Sequence, residues 1–548
     1  MSASKATSRF KSKRSRFTAL MLSYLSKRLD RAAAHGYAAT VRLHTTWLIL
    51  AFAGQAVAGP AADEIRESVR AYRLQHEPAI VSEFAELLAI PNHASDSANI
   101  GKNAQLIARS LQERKVETRL LELEGAPPVV FGKLDAPGAT RTVTFYAHYD
   151  GQPTRQSGWT TQPFQPALQR PDGSTVDLRS LPQRLDPESR LFARSASDDK
   201  APIIAIVTAL DALRAARWQP NVNLRFFFEG EEEVGSPHLS TLLKTYEADL
   251  KTDLWVICDG PVHQDGSKLV YFGVRGATAL DITVYGPNRG LHSGHYGNWA
   301  PNPIVLLTHL LDSMRDTQAR ILIPGFYDDV RAPTPAELKA AREMPDYDAQ
   351  IERNLGLART EGEPASLQTQ LMLPALNVRG IAGGAVGEAA ANVISPEATA
   401  SIDFRLVPNQ TPDGVRRRVE QHVERQGYFI VRKPPDEATR LAHPKIALLA
   451  WDNEGSYPAA RTPLDNPMAQ HVARVVEQMA GARIVVAPTL GGSVPMHLFQ
   501  GSANTPVVGV PLANFDNNQH AANENLRLQN LWDAIEIFAG LFTGEPQK

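Results

Sequence analysis

The chain has 548 residues, of which 43% are hydrophobic and 21% charged, with a mean hydropathy of -0.26 and a single cysteine. This composition is typical of an ordinary globular protein and excludes intrinsic disorder and collagen-like repeats. The formal net charge is -2, but residues 1–45 carry ten basic residues and one acidic residue, so the remainder is acidic, at -11. An acidic body argues against nucleic acid as a partner, because phosphate binding needs a positive surface.

The N-terminal segment resembles an export signal. Residues 46–54 form a short apolar run after the basic segment, and Ala56 and Ala58 follow with the A-x-A spacing of a signal-peptidase site. The run is too short to span a bilayer, which takes about 20 residues. The pattern predicts a signal peptide over 1–58 and an exported protein, periplasmic or secreted, with no stable membrane span after cleavage. The alternative is an uncleaved N-terminal anchor, and the long basic segment leaves the translation start open.

Helical and strand patterns then alternate along the chain. Apolar residues recur at helical spacing over 62–90, where Pro91 ends the pattern, and a second helix is predicted over 99–114. Short β-rich runs separated by helices follow up to residue 273, which predicts an α/β domain with a mixed, mostly parallel sheet. The stretch 151–194, rich in Gln, Pro and Arg, is predicted as a long excursion over the surface.

A second pattern interrupts this α/β domain. Two strand and helix pairs within 274–435 fit a ferredoxin-like α+β layer. The α/β pattern returns over 436–548. The sequence therefore predicts a discontinuous catalytic domain, formed by 59–273 and 436–548, with an inserted unit between its two parts.

Acidic and imidazole side chains follow apolar strands at four places and occur once more near the end of the chain. They are His148 with Asp150, Asp198 with Asp199, Glu231 with Glu232 and Glu233, Asp259, and His520. Each motif alone is typical of a solvated loop or a helix N-terminus. Together they would meet at one sheet edge, where cations relieve their repulsion. The conjunction predicts divalent metal binding, with zinc favoured and manganese left open.

Eight short segments carry a resemblance to a known family. They are AHYDGQP, SASDDKAP, EGEEEVGS, ICDGP, GLHSGHYG, FRLVPN, GGSVP and NQHAANE, in this order. Together they resemble the di-zinc metallopeptidase family of carnosinase-like dipeptidases, bacterial G-type glutamate carboxypeptidases and aminoacylase, and EGEEEVGS and LHSG are most similar to the carnosinase and cytosolic non-specific dipeptidase branch. The resemblance implies a phosphorylase/hydrolase-like catalytic domain, an inserted dimerisation or lid domain, and a homodimer.

The resemblance also implies a role for each matching residue. It implies two divalent ions per subunit, zinc in the first place and manganese or cobalt as alternatives, with the ligands His148, Asp198, Glu233, Asp259 and His520. Asp198 would bridge the two ions. The implied catalytic residues are Asp150, which would orient His148, Glu232, the general base toward a metal-bridging water, and His292, which would reach the partner's active site. The implied substrate-binding residues are Asn392, Arg405, Gly492 and Ser493.

Three functions follow from this pattern. The first is hydrolysis of an amide bond in a small substrate with a free carboxylate, by a dipeptidase or exopeptidase. The second is an N-acyl-amino-acid amidohydrolase with the same metals and base, and the third is a non-catalytic binding domain that keeps the fold. The chain departs from the dipeptidase branch at PLDNP, residues 463–467, where a His-Pro pair is usual, and this departure bears on the side-chain preference for substrate.

Overall fold

The computed structural model describes residues 62–155, 157–453, 455–492, 494–501 and 504–544, which belong to a unit spanning Gly59–Lys548. The predicted signal peptide over 1–58 and Ser493 lie outside the described residues. The helices are α1 (Ala62–Leu88), α2 (Ser97–Glu113), α3 (Lys200–Ala215), α4 (Leu239–Thr245), α5 (Ser293–Tyr296), α6 (Pro303–Asp312), α7 (Pro335–Glu343), α8 (Asp348–Leu355), α9 (Leu367–Gln370), α10 (Pro412–Arg425), α11 (Glu437–Ala442), α12 (Pro467–Ala480), α13 (Met496–Gln500) and α14 (Leu528–Thr543).

The strands form several sheets. They are β1 (Glu117–Leu121), β2 (Val129–Leu134), β3 (Thr142–His148), β4 (Ala167–Gln169), β5 (Thr175–Val176), β6 (Arg190–Phe192), β7 (Asn223–Glu229), β8 (Leu254–Ile257), β9 (Leu269–Tyr271), β10 (Gly273–Val274), β11 (Gly276–Tyr285), β12 (Leu291–His292), β13 (Ala375–Ala382), β14 (Val393–Ile394), β15 (Glu397–Leu406), β16 (Phe429–Val431), β17 (Ile446–Trp451), β18 (Ala460–Arg461), β19 (Val485–Ala487), β20 (Val507–Gly509) and β21 (Asn525–Arg527).

The largest sheet has eight strands in the order β1-β2-β7-β3-β8-β20-β9-β19. The four central strands β7, β3, β8 and β20 are parallel to one another. The pairs β1–β2, β2–β7 and β20–β9 are antiparallel. Helices α1, α3, α12 and α14 pack together over one face of the sheet, and α4 and α13 cover the other. The predicted α/β class with a mixed, mostly parallel sheet is confirmed.

Helix α1 runs unbroken through Pro78. A proline inside a helix cannot donate to the carbonyl four residues earlier, so that carbonyl needs another partner. Here the guanidinium of Arg184 donates to the carbonyl of Leu74, and the side chain of Gln183 donates to the next carbonyl, that of Gln75, at 2.8 Å. The segment that contains Arg184 thus completes the hydrogen bonding of α1.

The same segment corrects one prediction. Residues 151–194 were expected to form a surface excursion, but they contain β4, β5 and β6, which form a four-stranded antiparallel sheet with β21 in the order β21-β6-β4-β5. Leu191 of β6 lies opposite Leu526 of β21, and both side chains are fully buried. This pairing joins the chain just before Asp198 to the chain just after His520.

A five-stranded sheet lies within the chain between Gly276 and Trp451, in the order β13-β15-β11-β17-β16. Helices α6 and α10 supply buried side chains to a core with this sheet, among them Leu310 and Val419. The last strand of this sheet along the chain, β17, pairs with β11, so the sheet reaches beyond residue 435, the expected boundary of the inserted unit. That this segment acts as a separate dimerisation or lid domain stays a prediction.

The chain passes between the two large sheets through β10 and β18, which are hydrogen-bonded to each other. Gly273 lies opposite Arg461 in this ribbon, and a Cβ at Gly273 would come within 2.4 Å of the Ala460 carbonyl oxygen. A glycine is therefore needed where the two crossing strands approach each other.

Candidate metal centre

The centre forms where three neighbouring parallel strands end. His148 is the last residue of β3, Asp259 follows β8, and β7 leads through Gly230 to a short 3₁₀ helix, Glu232–Val234. Strand β3 lies between β7 and β8, so their carboxyl ends deliver these side chains to one edge. This is the edge at which α/β sheets generally bind their ligands. Asp198 reaches the same edge from the turn before α3, and His520 from the loop before β21.

Two groups of potential metal ligands share Asp198. His148, Asp198 and Asp259 form one group, Asp198, Glu233 and His520 form the other, and the ligand atoms in each group lie within 4.8 Å of one another. The Nε2 atom of His148 is 2.8 Å from Asp198 Oδ1 and 3.9 Å from Asp259 Oδ2. On the other side, the Nε2 atom of His520 is 3.1 Å from both Asp198 Oδ2 and Glu233 Oε2. The structure therefore brings together all five residues expected to bind metal.

The protonation of the cluster shows how strongly it favours added positive charge. Burial and then the charge of Asp198 raise the pKa of Asp259 to about 7. Hydrogen bonds to Asp198 and Glu233 raise the pKa of His520 to about 10. Burial alone would lower the pKa of His148, but the carboxylates of Asp150 and Asp198 outweigh it and raise the pKa. Three carboxylates and two imidazoles at these distances are a donor set that suits divalent cations such as zinc.

Glu232 stands beside the ligands without belonging to either group. Its Oε2 atom lies 3.9 Å from His148 Nε2, and its side chain is mostly buried. Burial, followed by the negative charges of Asp259 and Asp198, raises the pKa of Glu232 well above its ordinary value. A carboxylate whose pKa is raised accepts and releases protons more readily near neutral pH, as a general base requires.

Asp150 organises both sides of this centre. Its Oδ1 atom lies 3.3 Å from His148 Nδ1, while its two oxygens accept the backbone N–H groups of Glu232 and Glu233, each at 3.1 Å. One buried carboxylate thus holds the imidazole of His148 and the turn that carries Glu232. The next acid along the chain, Asp199, accepts the His148 backbone N–H at 3.4 Å, and the Asp198–Asp199 peptide is cis.

Two amide side chains at the centre escaped the sequence analysis. Gln152 donates to Glu233 Oε2 at 2.8 Å, and Gln519 donates to Asp198 Oδ2 at 3.4 Å. Each donates to the carboxylate oxygen that faces the Nε2 atom of His520. Both lie within segments that carry the resemblance, AHYDGQP and NQHAANE, and this position is the only signal that marks them, because a neutral amide shows no charge pattern.

The residues expected to contact substrate lie on other elements of the chain than the metal ligands. His292 and Asn392 are both exposed and stand on adjoining backbone, since β12 pairs with β14 and Ser293 donates its N–H to the Asn392 carbonyl at 2.8 Å. Within the described part of the chain His292 contacts Gly294 and His295 and forms no ion pair with the metal ligands. Arg405 lies on β15 with its Nε atom 3.5 Å from Asp403, and Gly492 is exposed.

Glu231, which precedes Glu232, serves another purpose. Its carboxylate accepts the backbone N–H of His238 at 2.9 Å and lies 2.8 Å from the ring nitrogen of the same residue. This side chain fastens the turn after the 3₁₀ helix to the start of α4. The adjacent residues Glu231 and Glu232 therefore have separate environments, and of these two only Glu232 lies beside His148.

Comparison with known proteins gives the chain its relatives. It is 28% identical over 425 residues to the Cys-Gly metallodipeptidase dug1 of Schizosaccharomyces pombe, covering 75% of this chain and 81% of that protein. It is 27% identical over 429 residues to the Beta-Ala-His dipeptidase of Homo sapiens, covering 76% of this chain and 77% of that protein. The carnosinase-like branch suggested by the sequence motifs is confirmed by these relatives.

Solved structures show the same fold. The M20 family metallo-carboxypeptidase Sso-CP2 of Sulfolobus solfataricus superposes with a TM-score of 0.68 at 24% identity, covering 85% of this chain and 99% of that one. Human carnosine dipeptidase 1 superposes with a TM-score of 0.64 at 23% identity, covering 88% and 98%. At these identities the likeness establishes the architecture.

The prediction of an exported protein, periplasmic or secreted, is wrong by these comparisons. The similarity runs to the metallodipeptidases of yeasts and mammals, and it gives no support to a signal peptide or to export. The prediction rests on a basic segment, a short apolar run and the A-x-A spacing of Ala56 and Ala58, and such a pattern is too short to be specific. Along the residues that the structure describes, no helix is long and apolar enough to cross a membrane.

The match to a family profile covers most of the chain. The profile described as peptidase family M20/M25/M40 matches residues 144–543, from β3 to the end of α14. This range contains His148, His520 and every other residue expected at the metal centre. The chain belongs to peptidase family M20/M25/M40.

Proposed function

We propose that the protein is a metal-dependent hydrolase that cleaves the amide bond of a small substrate with a free carboxylate, as a dipeptidase or exopeptidase. The observation that carries this proposal is the pair of ligand groups that share Asp198, with Glu232 beside them. The curated relatives described above are dipeptidases, which supports the same reaction class. Because the ligands and Glu232 are all present, a non-catalytic binding domain is disfavoured.

We propose that His148 and Asp259 hold one divalent ion, that Glu233 and His520 hold a second, and that Asp198 contacts both. The mixture of imidazole and carboxylate donors favours zinc, and the three carboxylates keep manganese and cobalt as alternatives. When bound, such ions lower the pKa of a water molecule and polarise the carbonyl of the scissile bond.

The protein residues supply the proton transfers. Glu232 would accept a proton from the attacking water and deliver it to the leaving amine, which is the role its raised pKa and its position beside His148 support. Asp150 would keep Glu232 in place through the backbone N–H and would fix the imidazole of His148. Neither step requires a residue outside the cluster.

Recognition of the substrate is proposed to involve the five-stranded sheet and a second subunit. Arg405 and Asn392 would bind the carboxylate end of the substrate with Gly492 and Ser493, and a planar guanidinium suits a carboxylate. His292 would stabilise the oxyanion in the partner's active site of a homodimer. Exposed apolar side chains near His292 support a subunit interface there: Trp299 is 80% exposed and Val393 is 52% exposed.

One observation favours a second candidate, an N-acyl-amino-acid amidohydrolase. A cavity of about 290 Å³ borders Glu232, and its walls include the apolar side chains of Pro237, Val494 and Leu498. Among the residues that the structure describes, no lysine or arginine lines this cavity. A cavity next to the general base whose wall is partly apolar fits an acyl chain as well as it fits an apolar amino-acid side chain.

The two functions differ in the group on the amino side of the scissile bond. The test uses protein stripped of metal and then supplied with Zn²⁺ or Mn²⁺, assayed on three matched sets: unblocked dipeptides, the same dipeptides as C-terminal amides, and N-acetylated amino acids. We expect hydrolysis of the unblocked dipeptides, a lower rate on the amides and little on the acetylated set. Failure on every unblocked dipeptide would refute the dipeptidase, and turnover of the acetylated set alone would establish the second candidate.

A further inference from the structure

A buried carboxylate links the two halves of the metal centre. Glu524 lies four residues after His520 and immediately before β21, and it is 1% exposed. Its carboxylate does not belong to either group of potential metal ligands. Instead it turns toward the segment between β6 and α3, where Asp198 lies.

Both oxygens of Glu524 are occupied by that segment. Oε2 accepts from Arg194 Nη1 at 2.8 Å and from the backbone N–H of Ser195 at 2.9 Å. Oε1 accepts the backbone N–H groups of Ser197 and Asp198, each at 3.0 Å, and the hydroxyl of Ser197 at 2.9 Å. Five donors on one carboxylate use its full acceptor capacity.

The backbone of Glu524 is tied to the same segment. Its carbonyl accepts the N–H of Ala193 at 3.1 Å, and the next residue, Asn525, lies opposite Phe192 in the pairing of β21 with β6. The main chain that carries His520 and the main chain that carries Asp198 are therefore joined at one residue, through its carbonyl and its carboxylate.

From these contacts we propose that Glu524 is a positioning residue that sets the separation of Asp198 and His520, and that it acts on the metal centre only through them. This inference rests on the proposed function, because it assigns metal binding to those two residues. A neutral amide at position 524 would turn an NH₂ group toward N–H donors that now meet an oxygen. The Asp198 backbone would then lose a partner and shift away from His520.

The test is Glu524→Gln, measured by calorimetric titration of the metal-free protein with Zn²⁺. The matched control is Glu77→Gln, since Glu77 is also a buried carboxylate that accepts from an arginine, Arg73, and from a backbone N–H, that of Leu185. We expect Glu524→Gln to bind Zn²⁺ about 10–100-fold more weakly, the usual effect of removing a group that orients metal ligands. Glu77→Gln is expected to lower the melting temperature and to leave Zn²⁺ affinity unchanged.

The outcomes separate this inference from the proposed function. Wild-type protein that takes up no Zn²⁺ overturns both. If the wild type and Glu524→Gln bind Zn²⁺ with equal affinity, the inference alone is overturned. An equal decrease of Zn²⁺ affinity in Glu524→Gln and Glu77→Gln overturns it as well. If Glu524→Gln does not fold, the test uses Glu524→Asp, which keeps the charge on a shorter side chain. We expect Glu524→Asp to bind Zn²⁺ more weakly than the wild type and Glu77→Asp to bind it equally well. An unchanged Zn²⁺ affinity of Glu524→Asp overturns the inference.

Discussion

Glu232→Gln is expected to abolish nearly all turnover while the protein still binds its metal. Glutamine keeps the size of the side chain but accepts no proton, and general acid–base catalysis contributes about 10²–10⁴-fold to rate. The neighbouring carboxylates offer no substitute: Asp150 is engaged by the N–H groups of Glu232 and Glu233, and Asp198 and Asp259 lie within the ligand groups. We therefore expect kcat to decrease by a factor near the upper end of this range, about 10⁴-fold, which corresponds to about 5 kcal/mol of activation free energy.

The assay compares kcat on an unblocked dipeptide with metal content measured on the same sample. The control is Glu231→Gln, the same substitution one residue earlier, where the carboxylate engages His238 instead. This control should keep kcat within a few-fold of the wild-type value. Loss of metal in Glu232→Gln would show that Glu232 is a ligand, and a kcat within tenfold of wild type would refute its assignment as the base.

Three further predictions concern the partner subunit, the substrate and stability. His292→Ala should lower kcat at unchanged metal content, and mixing it with Glu232→Gln should restore activity, because each mixed dimer regains one complete site; no recovery in subunit-exchanged mixtures removes the role in trans. Arg405→Lys should raise KM for unblocked dipeptides by about tenfold and have little effect on dipeptide amides, since lysine loses the bidentate contact with carboxylate; an equal effect on both sets argues against carboxylate binding. Burial of Glu337 raises its pKa, but this effect is outweighed by Arg331, the Thr334 N–H and Arg461, which lower the pKa to about 2. Glu337→Gln should therefore cost about 2–3 kcal/mol of unfolding free energy at pH 7. This stabilisation is complete above the unfolded pKa of about 4.5 and lost as pH falls toward 2, so thermal unfolding of variant and wild type should converge in acid and differ near neutrality.

The metal centre was predictable because its residues obey a local rule. His148 and Asp259 end or follow strands that are buried along almost their whole length, and Glu232 and Glu233 come just beyond a third strand. Strand direction alone then brings these groups to one edge of a parallel sheet. Asp198 and His520 do not lie on or directly after strands in the structure. The residue pattern marks both as candidates, and the resemblance to a known family adds their roles as metal ligands.

The missed features depend on contacts between distant parts of the chain. Residues 151–194 show little strand pattern, because their strands are two or three residues long and gain their stability from β21, more than 300 residues later. Likewise, no charge or hydrophobic pattern distinguishes Glu524 from other acidic residues in the sequence. Its role depends on five hydrogen bonds from a segment more than 300 residues earlier. The boundary expected at residue 435 failed to include β17 in the five-stranded sheet for the same reason, since β17 pairs with β11 from far earlier in the chain.

The ribbon formed by β10 and β18 has a consequence for the evolution of this fold. The chain leaves the eight-stranded sheet at Gly273 and returns at Arg461, and these two residues are paired. Everything between them is a closed excursion whose ends already meet, so a change in its length adds little loop-closure entropy. Every residue proposed to bind metal precedes Gly273 or follows Arg461. Ancestors of this enzyme could therefore gain, lose or exchange the intervening segment while the metal ligands stayed in register on one sheet.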